Sequence, residues 1–329
     1  MNAYKNNSSG KTLTFPIGAD LDAVDRIIRQ QLHSDIALVG RIADYLIGAG
    51  GKRIRPILVL LMAGAFGYQG NEHHILAAAI EFIHTATLLH DDVVDESELR
   101  RGLPSANALF GNAPSVLVGD FLYTRAFQMM VSVNDMRMMR VLADATNLIA
   151  EGEVMQLMNV GNADMNEERY RRVIYAKTAK LFEASSVLGA LLANAAGKEL
   201  EAAAHYGRSL GMAFQLIDDM LDYAGDADVM GKNVGNDLKE GKMTLPLIYW
   251  MEHATEKQRD QVRKSIEKAD ENYFREIIHA VKGSNALEYT YRKARQAAEE
   301  AVAALSVLNS SQYKESLLEL SAFSVERNY

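Results

Sequence analysis

The chain has 329 residues, 48% of them hydrophobic, a formal net charge of −8 and no cysteine. This is enough apolar material for a large core, in one big domain or two ordinary ones, and the acidic balance argues against a general nucleic-acid binder, which needs excess Lys and Arg. Without cysteine there is no disulfide framework, thiolate metal site or cysteine nucleophile, so any metal must be held by oxygen or imidazole.

Residues 1–19 carry two lysines but no following apolar core or small-residue cleavage site, so they read as an N-terminal tail rather than a signal peptide, which points to the cytoplasm. The longest apolar runs, such as ILVLLMAGAF after Pro56, fall short of the roughly 20 residues that span a bilayer. Only five prolines occur, and 115–245 has none. Apolar residues recur at helical spacing through Leu21–Leu46, Ile57–Phe66, Ile75–His90, Val116–Val131, Met139–Met158, Ala176–Ala196, Leu200–Tyr223, Leu245–Met251 and Ala286–Leu308. Alternating strand patterns are missing, as are Pro-, Gly- or Ser-rich linkers, so residues 20–329 are expected to form one all-α domain, a single large helical bundle. ILAAAIEFIHTATLLH is apolar on nearly all sides, as suits a helix in the middle of that bundle.

Two aspartate clusters interrupt the apolar stretches: DDVVD, with Asp91, Asp92 and Asp95, and DDMLD, with Asp218, Asp219 and Asp222. Carboxylates at i and i+4 share a helix face, and like charges packed that close in an apolar setting are costly unless a multivalent cation neutralises them. Cations flank both clusters. Arg100 and Arg101 follow the first, where a helix is expected to end at Gly102 and Pro104, and their forks suit phosphate oxygens. Lys232 and Lys242 follow the second on a glycine-bearing loop. Upstream, Lys52, Arg53 and Arg55 lie on a glycine turn leading into a helix, a second place for an anion. Each feature alone has a plainer reading: an Asp pair as a solvated helix face, the arginines as helix C-terminal charge, His84 as a core histidine, and AKTAKLFEAS as an ordinary amphipathic helix. Two Asp pairs with matched cationic flanks outweigh those readings.

GGKRIRP, DDVVD with RRG, and FQLIDDMLDY with GKNVGNDLKEGK together resemble the trans-prenyl diphosphate synthases, from about residue 20 to the C-terminus. IEFIHTATLLHDDVVDESELRRG and NLIAEGEVMQLMNV are most similar to bacterial members that make an all-trans-octaprenyl chain for ubiquinone. The resemblance implies an isoprenoid-synthase bundle around a central cavity, a homodimer, and Mg²⁺, three ions bridging a diphosphate. It implies Asp91, Asp95 and Asp218 as the metal ligands, with Asp92, Asp219 and Asp222 supporting. Isopentenyl diphosphate is expected on Lys52, Arg53, Arg55, His84 and Arg101. Arg100, Lys177, Lys232 and Lys242 are expected to share the charge of the allylic diphosphate, and Thr178 and Gln215 to face the allylic partner and its cation.

Product length is expected to depend on Ala86 and Thr87, roughly 7 to 8 Å along the helix from the acids, where a large aromatic would block a growing chain. Eight isoprene units need roughly 40 Å extended, so other helices must supply the floor, with Phe127 and Met130 as candidates and Ala86→Tyr expected to shorten the product. Three other readings exist: the same chemistry stopping at a farnesyl, geranylgeranyl or nonaprenyl chain; a di-iron bundle using the E-x-x-H pattern of Glu81 and His84, which lacks a second copy; and a non-catalytic partner subunit, which intact motifs disfavour. Contact with a membrane is expected to be at most transient, for product release.

Overall fold

In the computed structural model the described residues are 3–5, 12–48, 51–100, 102–224, 235–268 and 271–326. Sixteen α-helices account for most of them. The first seven are α1 (Gly18–Gln31), α2 (Ala37–Gly48), α3 (Ile54–Ala65), α4 (Glu72–Val94), α5 (Ala106–Phe110), α6 (Asn112–Ser132) and α7 (Met136–Asn159). There follow α8 (Glu167–Ile174), α9 (Lys180–Leu192), α10 (Lys198–Ala224), α11 (Asn236–Lys239) and α12 (Leu245–His253). The chain closes with α13 (Glu256–Lys268), α14 (Glu271–Lys282), α15 (Ala286–Ala304) and α16 (Gln312–Val325). The all-α expectation is met. The only strands among the described residues form two antiparallel ribbons, β1 (Ala3–Lys5) with β2 (Thr12–Thr14) and β3 (Leu99–Arg100) with β4 (Leu103–Pro104).

Several boundaries differ from those read off the periodicity. The stretch Leu21–Leu46 is two helices, broken after Leu32. Phe15 and Ile17, inside the expected tail, are buried in the core ahead of Gly18. The helix of the first acidic cluster stops at Val94 instead of continuing to Gly102, because Glu96 turns the backbone left-handed at φ 50° and the chain reverses through β3 and β4 at Gly102, φ +77°. Helices α5, α8, α11, α13, α14 and α16 have no counterpart among the expected ones. In α13, EKQRDQVRKSIEK, the charged face swamps the few apolar residues, of which only Val262 is fully buried.

The core explains why α4 is apolar all round. Leu76 to Ile80, Phe82, Ile83, Ala86 and Leu89 are all buried, with α3, α6, α9 and α1 packed around them. Small residues set the spacing of α9 against α3 and α10. A Cβ at Gly189 would lie 2.6 Å from the Val59 carbonyl oxygen, and one at Gly207 would lie 2.8 Å from the Glu183 Cα. The backbones therefore meet without side chains between them. A second apolar cluster gathers the C-terminal half of α10 with α12, α14 and α15. Between the C-terminal ends of α4 and α10 this packing leaves a cavity of about 980 Å³.

Candidate active site

The cavity is lined from five directions, and most of the residues singled out by sequence meet there. Asp91 and Asp95 enter from the end of α4, Asp218 from α10, Lys177 and Thr178 from the segment before α9, Lys52 to Arg55 from the start of α3, and Lys242 from the stretch after α11. Arg101 and Lys232 lie outside the described residues.

Each acidic cluster divides its carboxylates into held and presented ones. Asp92, one residue and about 100° around the helix from Asp91, turns inward and is only 2% exposed. Arg100 grips it with Nε at 2.9 and 2.8 Å from the two oxygens and Nη2 at 2.7 Å from Oδ1. Arg100 also touches the cavity wall, but its fork is engaged by protein. In the second cluster Asp219, 3% exposed, accepts from Gln215 Nε2 at 2.7 Å and from the Tyr170 hydroxyl, while Thr178 Oγ1 donates to Gln215 Oε1 at 2.7 Å. Burial pushes the Asp219 carboxyl up to about 7 against the pull of those two hydrogen bonds, and the charges of Asp218 and Asp222 add to the rise. Asp222 accepts the backbone N–H groups of Asn236 and Asp237 at 3.1 and 3.2 Å, so it caps α11. Asp91, Asp95 and Asp218 are left facing the cavity.

Cations already answer two of these. Lys242 Nζ is 2.8 Å from Asp95 and 2.7 Å from Glu240. Burial opposes its charge, but those two carboxylates outweigh the penalty and hold the ammonium pKa above its ordinary value. The loop reaches this place because Gly241 (φ +72°) lies flat against Gly161, whose N–H donates to the Gly241 carbonyl at 2.9 Å. Lys177 Nζ lies 3.4 Å from Asp91 and 2.6 Å from Glu153. Lys177 and Thr178 sit in a π-helical turn, Tyr175–Ala179, which widens the helix where Gly152 of α7 presses against it; a Cβ on Gly152 would be 2.8 Å from the Lys177 nitrogen.

Glu153 is the residue that sequence reasoning misses. An acid in an apolar helix after a glycine carries no distinctive spacing, and only the approach of α7 to Asp91 gives it meaning. Burial, then the Asp91 charge, push its carboxyl up to about 7, with Lys177 pulling the other way. A carboxyl whose folded pKa is raised favours the fold below its unfolded pKa of about 4.3 and loses that contribution as pH climbs through about 7. Metal-free Glu153→Gln protein is therefore expected to resist urea better than the parent at pH 8, with the gap shrinking by pH 5; equal midpoints at pH 8 would contradict this.

On the opposite wall Lys52 is exposed to the cavity. Arg55 Nη1 meets His84 Nε2 at 3.0 Å, and its guanidinium stacks 4.5 Å over the Phe182 ring. Burial lowers its pKa to about 10, offset by Glu81 and Asp218, so it stays charged at neutral pH. Arg53 caps α3 in a left-handed conformation (φ 47°) and is paired with Asp25 of α1, so its charge is shared outward. Ile149, Leu181, Phe182 and Phe214 give the rest of the cavity an apolar wall.

The chain-length candidates are divided. Thr87 lines the cavity, whereas Ala86, Phe127 and Met130 do not. Ala86 is fully buried, one turn before His90, whose ring reaches the Val116 carbonyl of α6 at 3.2 Å, so it faces the seam between α4 and α6. Met130 is also fully buried on α6, and the Phe127 ring lies tilted against that of Tyr123, with centroids 5.3 Å apart.

A metal would find hard donors here. Three carboxylates converge from the ends of α4 and α10, hard oxygen donors that suit Mg²⁺ with waters and phosphate oxygens completing its shell. Two ammonium groups already neutralise this cluster, as a cation would.

The model of the family described as polyprenyl synthetase matches residues 36–281. The chain belongs to the polyprenyl synthetase family. It is 51% identical to the octaprenyl diphosphate synthase of Escherichia coli over 94% of this chain and 96% of that one. It is 44% identical to the all-trans-nonaprenyl-diphosphate synthase (geranyl-diphosphate specific) of Rhodobacter capsulatus, over 95% and 96%. Among solved structures, a polyprenyl synthase from Caulobacter crescentus complexed with calcium and isoprenyl diphosphate aligns with a TM-score of 0.91 at 44% identity, covering 94% of this chain and 95% of that one. Like other polyprenyl synthetases, this enzyme is a metal-dependent prenyltransferase. Among its described residues no helix is long and apolar enough to cross a membrane.

Proposed function

We propose that this polyprenyl synthetase condenses isopentenyl diphosphate repeatedly onto farnesyl diphosphate to make all-trans-octaprenyl diphosphate for the ubiquinone side chain. The observation that carries this reading is the convergence of Asp91, Asp95 and Asp218 on one cavity with a cationic wall opposite. The allylic diphosphate sits at the acids, where Lys177 and Lys242 meet its oxygens; Asp91, Asp95 and Asp218 would hold Mg²⁺, expected as three ions, which would supply the remaining neutralisation of the leaving group. Arg100 acts through Asp92 rather than on the diphosphate. Isopentenyl diphosphate is held by Lys52, Arg55, His84 and Arg101, with Arg53 nearby.

The allylic C–O bond breaks and diphosphate leaves with the electron pair. The double bond of isopentenyl diphosphate attacks the allylic cation, and a proton is lost to the released diphosphate. Thr178 and Gln215, fixed by their mutual hydrogen bond, face the cation, and the apolar wall of Ile149, Leu181, Phe182 and Phe214 keeps water from quenching it.

The growing chain is led down the seam of α4 and α6 past Ala86 and Thr87 toward Phe127 and Met130. A smaller cavity of about 80 Å³, lined by Ile28 of α1, Leu46 of α2, Thr85 and Leu89 of α4 and Leu122 of α6, adjoins the main one and shares His84 and Leu88 with it, and none of the four chain-length candidates lines it. The enzyme works in the cytoplasm as a homodimer, one domain per chain over residues 20–329, with only transient membrane contact for product release. Purified enzyme with Mg²⁺, farnesyl diphosphate and labelled isopentenyl diphosphate is expected to give a product ladder ending at the octaprenyl chain. A different terminus overturns the chain length, and no Mg²⁺-dependent incorporation overturns the reading as a whole.

A further inference from the structure

The first turns of α1 and α4 meet at a second cluster of metal-ligating side chains, and none of its members lines the cavity. His74 Nε2 lies 2.8 Å from Asp20 Oδ1, and His73 Nε2 lies 3.4 Å from the same oxygen. His74 is 17 residues before Asp91 on one continuous helix, about 26 Å away along its axis. Neighbouring residues on a helix point about 100° apart, so two adjacent imidazoles reach one oxygen only because their rings are pressed together, with centroids 3.9 Å apart. The Tyr68 ring closes on the edge of His73 at 5.4 Å, and both histidines are largely covered, with 13% and 14% of their side-chain surface exposed.

The hydrogen bond between His74 and Asp20 accounts for only part of this arrangement. His73 Nδ1 is buried without a hydrogen-bond partner, and two imidazoles share a single carboxylate oxygen. What the three groups have in common is a converging set of lone pairs. One donor atom from each of Asp20, His73 and His74 lies within 4.8 Å of the others. A tetrahedral ion with ligands at about 2.0 to 2.1 Å needs donors about 3.3 Å apart, within reach of small side-chain rotations.

We propose that Asp20, His73 and His74 form a site for a divalent transition-metal ion of the zinc class, distinct from the magnesium site. Two imidazoles and a carboxylate leave the fourth position for water, and imidazole donors select Zn²⁺, Ni²⁺ or Cu²⁺ over Mg²⁺. The ion pins the start of α1 to the start of α4. Because α1 also carries Asp25, the partner of Arg53, the pin steadies the helix that anchors the basic turn of the active site.

The test uses the full chain, treated with EDTA, equilibrated with excess Mg²⁺ and titrated with Zn²⁺. Bound metal is counted after gel filtration, and melting temperature is followed in parallel. The wild type is expected to retain a Zn²⁺ ion that survives Asp218→Asn but is lost in Asp20→Asn and in His74→Gln, with affinity lowered at least about 100-fold. A rise of a few degrees in melting temperature with Zn²⁺ should disappear in the same two variants. Co²⁺ substituted at the site should show the visible absorption of tetrahedral nitrogen ligation. Two results overturn the proposal: no Zn²⁺ retained by the wild type, or Zn²⁺ content and the melting-temperature rise both unchanged in Asp20→Asn and His74→Gln. The readout is metal binding and stability, so it stands apart from the outcome of the prenyl-transfer assay.

Discussion

Asp91→Ala should lose turnover by about 10³-fold or more in saturating Mg²⁺ while folding as well as the parent, because the residue presents charge to the diphosphate and contributes little to packing. Its carboxylate lies at the cavity, 3.4 Å from Lys177 and beside Glu153, and replacing it removes a repulsion from Glu153 while leaving the 2.6 Å Lys177–Glu153 pair in place. The two effects separate cleanly in measurement. Rates with farnesyl and isopentenyl diphosphates over a Mg²⁺ series report the clamp, and a thermal melt of the metal-free protein reports the fold. Activity within tenfold of the parent would remove Asp91 from the metal site. A collapse in melting temperature would make the residue structural.

Arg100→Ala should behave in the opposite way, costing about 3 kcal/mol of stability before any effect on the chemistry is considered. The Asp92 side chain is 3% exposed and would be left as a buried carboxylate without its fork. The cost is at the low end for broken buried pairs because Arg100 itself is partly reached by solvent, and water can replace some of what is lost. Arg100→Lys should recover only part, since an ammonium cannot grip both oxygens. Asp92→Asn combined with Arg100→Ala should cost less than the two single changes added, and urea midpoints for the four proteins give that coupling directly. Additive costs would mean that the pair is not what holds the end of α4.

Asp91 and Arg100 take opposite parts, one presenting charge to the cavity and the other holding a buried carboxylate, and the distinction is not written in the motif. DDVVD shows three acids followed by two arginines, and on spacing alone Arg100 reads as a phosphate ligand. The structure turns it onto Asp92 because α4 stops at Val94 and the β3–β4 ribbon folds the chain back over the helix end. In the second cluster a glutamine and a tyrosine do for Asp219 what Arg100 does for Asp92, and the tyrosine comes from 49 residues away.

Where evidence is local, sequence and structure agree. Apolar residues at a spacing of three and four, with prolines kept to the ends, prescribe helices whatever surrounds them, so α3, α4, α6, α7 and α10 stand close to where periodicity puts them. The i, i+4 placement of Asp91 and Asp95 likewise follows from helical geometry alone, and with it the expectation of a shared cation. The charged helices α13 and α14 show the limit of that signal, because they are held by the packing of a few apolar side chains, α14 against α10 and α15 and α13 against α14.

Contacts between distant segments lie beyond what spacing encodes. Glu153 joins the site only because Gly152 lets α7 press against the π-helical turn at Lys177, and Lys242 reaches Asp95 across 147 residues because Gly241 packs on Gly161. Ala86 keeps its place on α4, yet which side of that helix is cavity and which is packed seam depends on where α6 and α9 settle. Periodicity sets the direction of each side chain about its own helix axis, while its partners are chosen by the mutual packing of helices remote in sequence.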